Sequence, residues 1–207
     1  MANEISKTEP PALPLAPEQY NRPYMDQNSN VLRLFFNRLT RTVDTLLSTD
    51  DGGKFLYMPR GLFYSTTDQS ATVVNTGYPV EFENTYIGNG VSIAGADDTR
   101  ITVSADGVYN FQVTLQTEQT TGSDTTIYTW INKNGTDQPY GGQEQTVKGN
   151  AVHAVFWNFS IDLEAGQYIE MYWAVDNTNL ALHTHAPTSP HPGIPSAVVA
   201  VSFVSNL

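Results

Sequence analysis

The sequence predicts a mainly β protein: an antiparallel two-sheet sandwich of about eight to ten strands, preceded by an extended arm and one α-helix. Three observations predict it. From Gly61 onward, short runs of alternating apolar and polar residues are separated by turn residues, with no helical period between them. Ahead of them, residues 28–49 carry apolar side chains at helical spacing. Ahead of those, residues 1–27 hold five prolines and no apolar period.

The proline-rich segment comes first. Pro10, Pro11, Pro14, Pro17 and Pro23 fix φ and remove donors, so residues 1–27 are expected to form neither helix nor central strand. PPALPLAPEQY reads as an extended arm with apolar pegs at Leu13, Leu15 and Tyr20. The competing reading is a disordered tail; the regular pegs favour an arm that orders on a partner.

The helix is expected over residues 28–49, with Asn28, Ser29 and Asn30 as candidate caps. Leu32, Leu39 and Leu46 repeat every seven residues, with Phe35, Phe36, Val43 and Leu47 beside them. Such a stripe either packs on its own domain or ties copies of the chain together as a short bundle. DDGG at 50–53 ends it and opens a linker over 50–60.

Residues 61–207 form the expected head. Strands are expected at Leu62–Thr66, Pro79–Phe82, Ile101–Val103, Gly107–Gln116, Thr125–Asn132, Ala151–Leu163, Tyr168–Val175 and Ala197–Val204. The alternation is clean in VYNFQVTLQ, where Tyr109, Phe111, Val113 and Leu115 share one face. In YIEMYWAV, Ile169, Met171, Trp173 and Val175 alternate with Tyr168, Glu170, Tyr172 and Ala174. NKNGTD, SADG and EAGQ mark turns.

The totals narrow the function classes. The chain has no cysteine, which excludes a disulfide scaffold, a thiol nucleophile and cysteine-bound zinc. Its net charge is −11. Residues 1–60 hold seven basic and seven acidic side chains, whereas residues 61–207 hold three basic and fourteen acidic ones. A head that negative repels phosphate backbones, so nucleic acid is not an expected partner. The first twenty residues lack an apolar core and no run approaches the length of a membrane span, so neither a secretion signal nor a membrane partner is expected.

Catalysis is not expected either. Acidic residues are plentiful but scattered on polar faces and turns, as at Asp97, Asp98 and Asp106. No Gly-x-Ser-x-Gly, phosphate loop or His-Glu-x-x-His is present, so a glycan hydrolase with paired carboxylates is the weaker alternative. Three of the four histidines fall in LHTHAPTSPHPGIPS, Leu182 to Ser196. If Thr178–His185 is a strand, Leu180, Leu182 and Thr184 share the core face, and Ala181, His183 and His185 share the other. His183 and His185 are then candidate metal ligands only if three copies meet on an axis. The competing reading is an extended, proline-stiffened loop, with no cofactor.

The run from Ile101 through Gly107, Tyr109, Phe111 and Val113 resembles a signature of the tumour necrosis factor and complement globular-head superfamily. Its glycine is expected to allow a tight turn into the strand. Ile101 and Val113 depart from that signature, where aromatic residues are usual. The order of WINKNG (Trp130–Gly135), LEAGQYIEMYW (Leu163–Trp173) and PSAVVAV (Pro195–Val201) is similar to jelly-roll proteins of tailed bacteriophage particles. LPLAPEQYNRPYMDQ, followed by NVLRLFFNRL, looks like the start of virion proteins from marine, cyanophage-like phages.

The resemblance implies a homotrimeric jelly roll on a virion, assembled in the host cytoplasm, with the N-terminus toward the particle. The function expected is therefore a non-enzymatic capsid decoration (cement) protein or short spike. Leu13, Leu15 and Tyr20 would attach it to the major capsid protein or another virion protein, and Leu32, Leu39 and Leu46 would join the copies. A receptor-binding tip of a tail fibre is the alternative, with a host-surface glycan as candidate partner. A helix of about three heptads is short for a fibre shaft. A sugar-binding module is the further alternative, with Tyr140 in DQPYGG as a stacking candidate.

Overall fold

The computed structural model describes residues 11–13, 18–47, 58–94 and 98–207. The chain divides into two units, Met1–Tyr57 and Met58–Leu207. The first holds α1, Arg22–Leu47. The helix thus starts six residues before the expected Asn28, within the segment expected to exclude helix. Asn21 caps it: the Tyr24 N–H donates to Asn21 Oδ1 at 3.3 Å, and the Met25 N–H to the Asn21 carbonyl at 3.1 Å. Pro23 lies in the first turn, where its missing N–H has no intrahelical acceptor to lose. A proline count misjudges this position, because proline opposes helix only in the interior.

The second unit is an antiparallel sandwich of two sheets, mainly β as expected. Its strands are β1 (Arg60–Ser65), β2 (Gln69–Ser70), β3 (Tyr78–Pro79), β4 (Asn84–Asn89), β5 (Val91–Ala94), β6 (Arg100–Val103) and β7 (Gly107–Gln119). They continue as β8 (Thr125–Lys133), β9 (Thr136–Asp137), β10 (Gln143–Val147), β11 (Ala151–Leu163), β12 (Tyr168–Val175), β13 (Leu180–Leu182) and β14 (Ala197–Ser205). The first sheet runs β2-β13-β7-β14-β1-β4, with β11 on the other side of β7. The second runs β10-β8-β12-β6-β5, with β3 on β12 and β9 on β8.

From β6 to β8 and again from β10 to β12 the chain crosses from sheet to sheet, and the last long strand returns beside β1. This is the jelly-roll order. Of the expected Pro79–Phe82 strand only Pro79 pairs as strand, with Tyr78 ahead of it, while Val80 and Phe82 are fully buried beyond it. Here burial produced a strand-like apolar pattern outside any ladder.

The core fills the space between the sheets. Tyr109, Phe111, Val113 and Leu115 enter it from β7, and Ile169, Met171, Trp173 and Val175 from β12, all at 2% exposure or less. Each fully buried side chain of this size contributes roughly 1.5–3 kcal/mol. Gly107 begins β7 without a positive φ. A Cβ there would fall on the Phe203 ring and lie 2.8 Å from the Ser205 carbonyl oxygen. The glycine serves a close approach of β14, not the tight turn expected.

Candidate functional site

Three features are candidates: the outer face of the first sheet, the helix stripe and the histidine-rich loop. The sheet face follows from register. Phe63, Val199, Val113 and Trp157 form a row turned into the core. One residue along, alternation turns Tyr64, Val198, Thr114 and Phe156 outward across β1, β14, β7 and β11. The next outward row is Ile87, Leu62, Ala200, Gln112 and Asn158. Phe156 is 66% exposed, and Tyr64, Val198, Leu62, Ala200 and Ile87 are partly exposed.

Neither row holds a charged side chain. The third row, through Asn110, is polar: the Asn110 amide donates to Asn158 Oδ1 at 2.6 Å and to Ser160 Oγ at 3.2 Å. Charges enter only at the margins, at Arg60, Glu118 and Asp162. The head carries fourteen acidic residues, so this band is where its sequence withholds them. Charge depletion with exposed apolar and aromatic groups is the composition of an interface core.

The helix places Leu32 partly exposed, Leu39 37% exposed and Leu46 43% exposed, and none of its residues is buried. With Phe36 and Val43 they form one seam at alternating spacings of four and three. Of the expected attachment pegs, Leu13 is 50% and Tyr20 84% exposed, and Leu15 lies outside the described residues. Tyr140 is 63% exposed, its hydroxyl 3.2 Å from Gln138 Oε1.

In the histidine-rich segment the strand is confined to Leu180–Leu182, with both leucines fully buried as the alternation requires. The rest is not an extended loop. His185 and Ile194 exchange backbone hydrogen bonds at 2.9 Å in both directions, and Thr188 and His191 do the same at 3.1 and 2.8 Å. The segment is a small closed ladder, with a cis bond between Ser189 and Pro190.

Nor does His183 simply face solvent. Its Nδ1 lies 3.1 Å from Asp68 Oδ2, and its Nε2 lies 3.1 Å from Glu118 Oε2. Carboxylates only accept, so both contacts are hydrogen bonds only when the ring donates from both nitrogens. Asp68 also accepts from the Thr184 N–H at 2.7 Å and the Thr184 hydroxyl at 3.1 Å. These bonds, the backbone one first, hold the Asp68 carboxyl below the ordinary aspartate range, and His183 adds to them.

The His185 ring stands edge-on to His183 at 5.0 Å. Among the described residues no three His, Asp or Glu side chains gather to hold a metal ion. A metal shared on an axis would have to displace two carboxylates from His183. Both partners come from distant sequence, 115 and 65 positions before His183.

Comparison with known proteins finds likeness among solved structures. The chain is similar to a solved structure described as the Eiger TNF from S. frugiperda. The TM-score is 0.48 and the identity 9%, over 72% of this chain and 94% of that one. No family model matches the sequence, and no curated protein matches it. The jelly-roll assignment rests on the strand order itself.

Proposed function

We propose that this chain is a non-enzymatic structural protein of a bacteriophage particle: a homotrimeric head decoration protein or short surface spike, anchored by its N-terminal arm. The observation that carries the trimer is the uncharged outer face of the first sheet. On a head with net charge −11, copies can approach one another at low electrostatic cost only through a face that withholds its acids. The helix seam from Leu32 to Leu46 supports the same reading, since five apolar residues at coiled-coil spacing have no cover within the helix. The virion assignment rests on the resemblance of LPLAPEQYNRPYMDQ and of the motif order to phage structural proteins.

Two measurements test it. Light scattering at micromolar concentration should return three times the chain mass; the mass of one chain would sink the trimer. Deleting residues 1–20, which stops short of the Asn21 cap, should leave a folded trimer that no longer co-sediments with particles lacking the protein. If the truncated trimer still binds particles, the arm is not the anchor.

A further inference from the structure

A trimer closed about one axis joins unlike patches: each copy meets one neighbour with one surface and the other neighbour with a different one. The uncharged face of the first sheet supplies one of the two. The second must also withhold acids, since it too lies between heads of net negative charge. The edge strand β4 meets that need. It pairs with β1 and is the last strand of its sheet. From Asn84 to Ala94 the sequence holds no charged side chain. Glu83, just ahead of that run, is drawn back onto Thr66, whose N–H and hydroxyl both donate to Glu83 Oε1, the hydroxyl at 2.9 Å.

Within β4 the register isolates one residue. Leu62 opposes Ile87 and Phe63 opposes Thr85, so Tyr86 stands between them with no partner in β1. In an unbroken ladder Tyr86 would oppose Phe63, whose side chain is fully buried in the core. The extra residue makes a β-bulge, which re-aims the side chain. Tyr86 is instead 73% exposed, more than any other large apolar or aromatic side chain among the described residues of the head.

We propose that Tyr86 is the central residue of the trimer's second patch and that it packs on the uncharged face of the neighbouring copy. The inference rests on the trimer reading above and names the residues that meet. The face suits both ends of the side chain. Phe156 and Val198 offer apolar cover for the ring, and the exposed Gln112 amide offers a partner for the hydroxyl. Neither side brings a charge, so no ion is stranded when water leaves. Tyrosine is among the residues that most often carry the energy of an interface.

The test uses the full chain and light scattering at micromolar concentration, with circular dichroism to follow the β fold. Tyr86→Asp should give the mass of one chain, and Tyr86→Phe the mass of three. Tyr86→Ala, which adds no charge, should raise the concentration at which the trimer dissociates by at least about thirtyfold. Mixing then reads which patches meet. Phe156→Glu with Val198→Glu spoils the face and keeps Tyr86, whereas Tyr86→Asp keeps the face. Each variant alone should have the mass of one chain. Their equimolar mixture should have the mass of two, because one sound contact joins each pair and no ring can close. The proposal is overturned if either variant alone stays trimeric, if Tyr86→Ala dissociates as the unaltered chain does, or if the mixture keeps the mass of one chain. An unaltered chain with the mass of one chain overturns the trimer reading and this inference together. Any of the other failures, with the unaltered chain a trimer, overturns this inference alone.

Discussion

Gly107 is held by what stands over it. Gly107→Ala would push a methyl group into the Phe203 ring and toward the Ser205 carbonyl, where β14 leaves no slack. The expected cost is roughly 1–3 kcal/mol, read as a lower urea midpoint with an unchanged slope. Asp68 acts through charge. Its carboxyl is held below the ordinary value by the Thr184 N–H first, then by the Thr184 hydroxyl and His183. A depressed folded-state value means the stabilisation is complete above the unfolded value of about 4 and is lost as pH falls through the lower folded value. Asp68→Asn should therefore flatten the acid limb of a stability–pH curve below about pH 5. A limb as steep as that of the unaltered chain would show that Asp68 contributes nothing there. Tyr109 titrates at the other extreme: burial first, then nearby Asp106, pushes its phenol up to about 12, while its hydroxyl donates to the Ala105 carbonyl at 2.7 Å. Its place on the core face was legible from the Tyr-x-Phe spacing. The hydroxyl's partner was not, because only the path of the β6–β7 turn sets it.

At the scale of elements, α1 shows where local reading succeeds and stops. The seven-residue leucine repeat marked the helix, and its C-terminal end at Leu47 lies close to DDGG. Its start is not legible from the proline count, because Pro23 opposes helix only in an interior and here stands in the first turn. Replacing Leu32, Leu39 and Leu46 together with glutamine, which has a helix propensity close to that of leucine, keeps the helix but removes the seam. The expected outcome is a trimer that dissociates at higher concentration on dilution, followed by light scattering, while the β signal in circular dichroism is retained. An unchanged dissociation profile would mean the helix takes no part in assembly. Among the strands, the long alternating runs β7, β8, β11, β12 and β14 were legible. The short strands β2, β4, β5, β9 and β10 were not, and β13 was legible only within the longer conditional strand Thr178–His185. Segments that short carry too few alternating positions to stand out, and β2 and β13 exist because each pairs with a distant segment.

For the whole molecule, the outer face of the first sheet carries the strongest consequence. Phe156→Glu paired with Val198→Glu places two charges in one cross-strand row, across Thr114. Neither position is in the core, so the chain should fold with a melting temperature within a few degrees of the unaltered one. Its mass by light scattering should fall to that of one chain. A trimer that survives both charges would place the interface elsewhere. The sequence by itself determined the fold class, the order of helix and β domain, and which side of β7 and β12 enters the core, because alternation and spacing are properties of neighbours along the chain. Only the tertiary structure decided the rest. The uncharged face draws its rows from β1, β4, β7, β11 and β14, so no single segment displays it. His183 meets Asp68 and Glu118 only after distant segments have paired. Each of these depends on cross-strand register, which long-range packing sets and local pattern does not carry.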